Sequence, residues 1–469
     1  MKNLIHFGTD GWRAIIAEEF TFDNVRIVAR AFAAYLKDQK RAEKGIVISY
    51  DTRFLSARFA RVAAEVISSN QIPVILSESV TPTPVLSYTV QNRGLAGGIM
   101  ITASHNPCEY SGIKFKDAYG GPALPAMTKA VESFLGQDRP FLDDRMISRY
   151  LHEENLFQPY LQALRSFVNF DRIKSLQGTI VVDSMYGAGY GLLRKILSDT
   201  SLQVTAIHDT ADPTFGNRSP EPILKNLPEL SQRIVDDKAL AGFATDGDAD
   251  RFGVLDGNGA FVELHDLMPL LLRHLKKTRG WQGKVVRTTS MADTVDRMAA
   301  EMGVTVEEVP VGFKNVTEKM LAGDVLIGGE ESGGFGYLNF IPERDGLLSI
   351  LLTLEMMAVE KKNLQTLVAE LRQTYGPFYY DRIDRHFDLA ILQKNLQALI
   401  DQPPKKIENY TVRSVNRIDG IKIYFEENAW MLMRVSQTEP LARIYVGGES
   451  KEIVSIILNA GERLLTRIN

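Results

Sequence analysis

One hydroxyl in this chain is placed as a reactive group would be. Thr102-Ala-Ser-His-Asn-Pro107 follows directly on the apolar run Leu95-Ala-Gly-Gly-Ile-Met-Ile101. At the carboxyl end of a strand in an open α/β sheet, a side chain sits where ligands normally bind. Ser, Asn and Pro also favour turns, so the motif taken alone reads more readily as a strand-ending turn. Ser104 beside His105 is not a hydrolase triad, because triad members meet in space rather than in sequence. No Gly-x-Ser-x-Gly elbow surrounds Ser104 either.

A second motif, Thr245-Asp-Gly-Asp-Ala-Asp-Arg251, sets carboxylates at the alternate positions 246, 248 and 250. On an extended or looped backbone alternate side chains point the same way, and three anions on one side repel unless a cation joins them. Oxygen-only ligands favour a hard cation, and Mg²⁺ keeps positions open for substrate oxygens. A calcium loop does not fit: Arg251 stands where that loop needs Gly, and Gly257 where it needs a bidentate Glu. A charged surface turn is the remaining reading. Aspartyl-phosphatase chemistry would need Asp-x-Asp-x-Thr, and Asp250 stands where the Thr would be.

Two further motifs are weaker alone. Gly328-Gly-Glu-Glu-Ser-Gly-Gly334 puts paired carboxylates and a hydroxyl on a Gly-rich stretch after the apolar Val325 to Ile327, suited to sugar hydroxyls or to a flexible turn. Arg434-Val-Ser-Gln-Thr-Glu-Pro440, with Arg443 beyond, offers two guanidinium groups and two hydroxyls, a plausible phosphate cradle or a polar hairpin. Asp183-Ser-Met-Tyr-Gly-Ala-Gly-Tyr-Gly191 resembles a dinucleotide fingerprint, but its third glycine would fall at Leu192. It reads as a strand-to-helix turn. No Gly-Lys-Ser/Thr phosphate loop is present, which argues against an ATP-dependent kinase.

The elements that must carry these motifs alternate. Gly45 to Tyr50, Ile72 to Leu76, Leu95 to Ile101, Thr179 to Val182 and Lys284 to Arg287 read as strands. Arg53 to Ser69, Pro84 to Gln91, Tyr190 to Leu197 and Ala292 to Met302 read as helices. Gly346 to Val359 reads as a buried helix too short and too polar to span a bilayer. From Tyr379 onward five closely spaced strands are expected (379–385, 411–415, 421–425, 430–435 and 443–446), flanked by helices at 388–400 and 449–467. The pattern predicts an α/β chain: three similar αβ units with mixed sheets, then a C-terminal α+β domain. The expected domains are 1–145, 146–256, 257–374 and 375–469.

Composition sets bounds on partners. Of 469 residues, 45% are hydrophobic and 24% charged, and the net charge is −4. Such balance argues against a dedicated nucleic-acid or anionic-membrane binder, which needs a clustered positive surplus. The single cysteine, Cys108, cannot form an intrachain disulfide or build a zinc site, and a reducing cytoplasm is expected. The segment from Met1 to Asp10 lacks the apolar core of a signal peptide.

In this order, the motifs at 102–107, 246–251, 329–333 and 434–440 resemble the four signature loops of the α-D-phosphohexomutase family, which includes phosphoglucomutases, phosphomannomutases and phosphoglucosamine mutases. Phe7-Gly-Thr-Asp-Gly-Trp-Arg13 resembles the family's opening segment, and Gly312-Phe-Lys314 a substrate-facing turn. The resemblance covers essentially the whole chain and implies four domains around a central cleft. It implies that Ser104 carries a phosphoryl group. Asp246, Asp248 and Asp250 would hold Mg²⁺ with an oxygen of the modified Ser104, and Arg13, His105, Lys114 and Arg251 would surround the transferring group. Lys314, Glu330 and Ser332 would meet the sugar. Arg434, Ser436, Gln437, Thr438 and Arg443 would hold the phosphate that is not reacting.

The implied reaction interconverts hexose 1- and 6-phosphates through a hexose 1,6-bisphosphate, with glucose the expected sugar and mannose a slower one. The alternatives are a phosphomannomutase or phosphoglucosamine mutase of the same family, or a non-catalytic sugar-phosphate binder. A monomer or homodimer is expected. Three departures from the family's pattern stand out: Val435 and Gln437 replace Pro and Gly in the phosphate loop, Gly334 stands where some phosphomannomutases carry His, and Ala249 where phosphoglucosamine mutases usually have Gly.

Overall fold

The computed structural model describes residues 5–8, 11–137, 141–435 and 441–467. They fall into two compact units, Met1–Lys284 with Gly312–Gln365, and Val285–Val311 with Thr366–Asn469.

The first unit opens with a mixed sheet of six strands: β1 (Trp12–Ile15), β2 (Ile46–Tyr50), β3 (Val74–Ser77), β4 (Gly97–Ile101), β5 (Tyr110–Asp117) and β6 (Leu151–Glu154), in the order β1-β5-β4-β2-β3-β6. Strands β2 and β4 pair in parallel and are buried almost throughout, which is why both read as continuous apolar runs. The helix Phe22–Asp38 starts at Thr21, whose side chain accepts from the Asn24 amide. Its buried residues Val25, Val28, Ala29, Phe32 and Leu36 recur at helical spacing and join a core containing Ile46, Ile48, Ile99, Ile101 and Phe115. A second mixed sheet is built from β7 (Gly178–Asp183), β8 (Leu202–Ile207), β9 (Ala241–Thr245) and β10 (Phe252–Asp256), in the order β10-β9-β7-β8.

The same device recurs three times. Strand β4 is followed by antiparallel β5, β9 by antiparallel β10, and Val325–Gly329 by antiparallel Phe335–Tyr337. The three returns are the segments 102–109, 246–251 and 330–334, each carrying one of the motifs picked out in the sequence. The glycines Gly328 and Gly329 lie inside the preceding strand rather than in the loop. Strand β5 had no counterpart in the sequence reading, because Lys114 and Lys116 interrupt its apolar pattern; both are nevertheless buried.

The helix Gly346–Glu360 is buried along nearly its whole length, as its apolar sequence predicts. Asp345 caps it by accepting from the Leu348 amide, 2.9 Å, and also receives the Tyr160 hydroxyl. The predicted helix from Arg53 begins only at Ser56, since Leu55 adopts a left-handed φ of 60°. Among the described residues no helix is long and apolar enough to cross a membrane.

In the second unit, residues 285–288 pair in parallel with Val306–Val309. The C-terminal sheet has six antiparallel strands, in the order Tyr379–His386, Leu441–Gly448, Trp430–Val435, Ile421–Phe425, Tyr410–Asn416 and Lys406–Ile407. Ile421, Ile423, Phe425, Met431, Met433, Ile444 and Val446 alternate onto one face, in a core completed from the helices Leu389–Asp401 and Lys451–Thr466. Asp388 and Ser450 cap those two helices.

Candidate functional site

Ser104 lies in the β4–β5 return with a left-handed φ of 54°, a strained setting for a residue with a side chain. Its amide donates to Thr102 Oγ1, and its hydroxyl donates to Asp246 Oδ2, both at 2.8 Å. The serine is 1% exposed. Two residues on, Asn106 Oδ1 receives Arg13 Nη1 at 2.7 Å, so β1 delivers Arg13 to this loop. His105 is half-buried beside the serine.

The three aspartates converge because the β9–β10 loop curls, not because a flat strand aligns alternate side chains. Ala249 takes a φ of 56°, and its amide donates to the Asp246 carbonyl at 3.1 Å. The Arg251 amide donates to Asp246 Oδ1, 3.1 Å. Gly247 lets this loop rest on the serine loop: a Cβ there would stand 2.4 Å from the Ser104 carbonyl oxygen. Arg251 is half-buried at the loop's end.

Three fully buried carboxylates this close repel, and cations answer them. Lys114 Nζ lies 2.8 Å from Asp248 Oδ2 and 3.0 Å from Asp250 Oδ2. Arg344 Nη2 is 2.6 Å from Asp250 Oδ2, and Thr83 Oγ1 donates to Asp248 Oδ2 at 2.5 Å. Burial, reinforced by the charges of Asp248 and Asp250, pushes the Asp246 carboxyl well up despite Arg251 and Lys114. Burial also works against ionised Asp248, but Lys114 and Thr83 outweigh it and hold that carboxyl below its ordinary range. Asp248 Oδ1 and Asp250 Oδ1 are buried without a hydrogen-bond partner among the described residues. One oxygen from each aspartate lies within 4.8 Å of the others. Unpaired buried anionic oxygens are costly, and a hard divalent cation would satisfy them. The donor set therefore fits Mg²⁺.

The third return brings Glu330 and Ser332 into the first unit as well. Glu330 Oε1 accepts from the Gly312 amide at 2.9 Å, fixing the turn that leads into the helix Phe313–Leu321, where Lys314 sits. Ser332 Oγ is enclosed and has no hydrogen-bond partner among the described residues. The Phe252 amide donates to the Gly333 carbonyl at 3.1 Å, so the end of the aspartate loop is tied to this one. Burial raises the Glu330 carboxyl, opposed by Arg344.

Arg434 and Arg443 belong to the second unit, directly opposite one another on paired strands. Like charges in that register oppose pairing unless anions compensate. Asp419 lies 2.6 Å from Arg434 Nε, and Asp384 3.4 Å from Arg443 Nε. Ser436, Gln437 and Thr438 lie outside the described residues.

Three participants escaped the sequence reading. Thr83 and Arg344 reach the aspartates from distant segments. Arg53, only 3% exposed, donates to three carbonyl oxygens of the serine loop, Ser104, Asn106 and Pro107, each at 2.7 Å, and to that of Tyr110 at the start of β5, 2.9 Å. Asp51 Oδ2 pairs with its Nε at 3.1 Å. The only sequence signal for Arg53 is a charged residue just after an apolar strand, at a position the helical pattern had claimed.

Residues 4–139, 158–259 and 264–375 match, respectively, the alpha/beta/alpha domains I, II and III of phosphoglucomutase/phosphomannomutase. The chain is 30% identical over 469 residues to a Thermococcus kodakarensis protein named phosphoglucomutase/phosphomannomutase, with 98% of each covered. It is also 30% identical over 455 residues to a phosphoglucosamine mutase of Caldicellulosiruptor bescii, with 95% of each covered. Among solved structures, a Thermus thermophilus chain provisionally assigned as a phosphomannomutase superposes with a TM-score of 0.88, at 35% identity and 99% coverage of both chains.

Proposed function

The chain belongs to the α-D-phosphohexomutase family, and from that membership we propose that it interconverts glucose 1-phosphate and glucose 6-phosphate through a phosphoserine at Ser104 and a glucose 1,6-bisphosphate. The observation that carries this reading is the enclosed Ser104 hydroxyl, 2.8 Å from Asp246 of the buried aspartate cluster.

Ser104 acts as a store of phosphate rather than as an activated nucleophile. In the first half-reaction the sugar's free hydroxyl oxygen bonds to the serine-borne phosphorus, the Ser104 Oγ–P bond breaks, and the hydroxyl proton ends on Ser104 Oγ. The bisphosphate turns over, and Ser104 Oγ takes back the other phosphate by the same step in reverse. Asp246, Asp248 and Asp250 would hold Mg²⁺. Bound there, it neutralises charge on the phosphoryl oxygens, which together with positioning is most of what phosphoryl transfer needs. Lys114, buried on the strand that leaves the serine loop, is assigned to charge stabilisation and proton movement with Arg13, while His105 and Arg251 complete the surroundings of the transferring group. Glu330, Ser332 and Lys314 are assigned to the sugar. Arg434 and Arg443, with the 436–438 segment, are assigned to the distal phosphate. On this reading the domains run 1–145, 146–256, 257–374 and 375–469.

The sugar ranking is glucose first, mannose slower and glucosamine last. Glucose and mannose differ only at C2, and a loop that reads shared hydroxyls rejects neither strongly. Glucosamine adds a cationic amine for which no dedicated acidic partner is assigned. Relatives carry all three names, so specificity constants for the three 1-phosphates decide the ranking; a lead for mannose or glucosamine overturns it. Ser104→Ala should lower turnover by about 10³-fold or more while sugar-phosphate binding survives. Turnover within a few-fold of the parent would remove the carrier assignment.

A further inference from the structure

The glycine-rich motif contains a glycine whose backbone does not need one. Gly333 adopts a φ of 90°, whereas Gly334 is not among the positive-φ residues. What Gly334 provides is space. A Cβ on it would stand 2.3 Å from Arg344 Cδ and 2.7 Å from Arg344 Cγ. The stem of Arg344 therefore runs through the volume a side chain at 334 would fill.

That stem delivers a buried guanidinium to three carboxylates. Nη2 is 2.6 Å from Asp250 Oδ2, Nη1 is 3.8 Å from Glu330 Oε2, and Nε is 3.6 Å from Glu343 Oε1. The Phe313 ring covers it, with Cζ 5.6 Å from the ring centroid. Glu343 is already engaged by buried Lys116. The charge that Arg344 brings is therefore directed chiefly at Asp250 on the aspartate loop and Glu330 on the glycine-rich loop.

We propose that Arg344 is a positioning residue that couples the two loops, holding Glu330 for the sugar while tempering the negative charge that Asp250 offers a cation. This rests on the assignment of Asp250 to the metal and Glu330 to the sugar. The two effects have opposite signs. Without Arg344, Glu330 keeps the Gly312 amide on Oε1 but loses the guanidinium that steadies Oε2 and favours its ionised form, so sugar affinity falls. Without Arg344, the aspartate cluster keeps its three carboxylates and loses a competing cation, so divalent-cation affinity rises. A residue that merely supported the fold would weaken both.

Calorimetry on the dephosphorylated enzyme, with glucose 1-phosphate and separately with Mg²⁺ alone, tests this. Arg344→Ala should weaken sugar-phosphate binding about tenfold and tighten Mg²⁺ binding several-fold. Arg344→Lys should return Mg²⁺ affinity to the parent value without restoring the sugar, because an ammonium beside Asp250 cannot also span to Glu330; it keeps the test available if the alanine variant does not fold. Gly334→Ala should reproduce Arg344→Ala, and adding it to Arg344→Ala should change nothing further. Both affinities falling together, neither changing, or an additional loss in the double variant overturns the proposal. Glu330→Ala separates the two levels. If it leaves sugar binding intact, the assignment of the loop fails and the coupling with it. If it weakens sugar binding while Arg344→Ala does not, only the coupling fails.

Discussion

Arg53 holds the serine loop by its carbonyl oxygens, and that is a demanding geometry. A planar guanidinium can address four acceptors at fixed angles; an ammonium has three donors on one atom. Arg53→Lys should therefore cost turnover about 10²-fold through misplacement of Ser104, a loss of the size expected when a reacting group shifts by about an ångström. Arg53→Met would also leave Asp51 buried without its partner, with a stability loss of about 3–5 kcal/mol in chemical denaturation. Parent-like turnover in Arg53→Lys would show that the loop needs no such clamp. At the aspartates, Asp248→Asn removes one anionic donor and should weaken Mg²⁺ binding and turnover together, and a strong chelator should abolish turnover in the parent; activity indifferent to chelation would contradict the metal assignment. Ser104 and the three aspartates were legible because each motif is contiguous and chemically unusual. Arg53, Thr83 and Arg344 were not, because what defines them is a contact across tens to hundreds of positions, which spacing does not encode.

Each reactive loop is a return between a strand and its antiparallel successor, which gives a short segment two rigid anchors. The strands before the returns were readable as apolar runs. The strand after the serine loop was not, since its buried lysines make sense only once the carboxylates facing them are known. The helix Gly346–Glu360 adds a pH dependence through its cap. Burial pushes the Asp345 carboxyl up to about 7, so the folded chain binds its proton more tightly than the unfolded chain does. The stability it contributes is present in full below about pH 4 and is lost as pH rises toward and through about 7. Asp345→Asn keeps a capping oxygen and cannot ionise, so its stability should fall less over that window in denaturant titrations; an unchanged profile would show that Asp345 titrates normally. On the C-terminal sheet, Arg434→Ala should raise Michaelis constants for both substrates by the equivalent of about 1–3 kcal/mol, leaving Ser104 modification intact. Unchanged Michaelis constants would rule the arginine pair out as a phosphate site.

At the scale of the whole molecule, the serine, the aspartates and the glycine-rich loop belong to the first unit and the arginine pair to the second. If the proposed roles hold, variants in the first unit should impair the chemistry and variants of the arginine pair the binding of the distal phosphate. The repetition of one architecture was visible in the alternating strand and helix patterns, and the separate α+β character of the C-terminal part in its closely spaced strands. The grouping of Val285–Val311 with the C-terminal residues was not visible, because it arises from long-range packing. The proposed reaction depends on a phosphoryl group stored on Ser104. Intact-mass measurement of the purified chain, before and after incubation with a hexose monophosphate and Mg²⁺, addresses this directly. A species heavier by a single phosphate should be present, should be absent from Ser104→Ala, and should lose that phosphate to the sugar as a hexose bisphosphate. Full turnover by a chain that never carries phosphate on Ser104 would contradict the account.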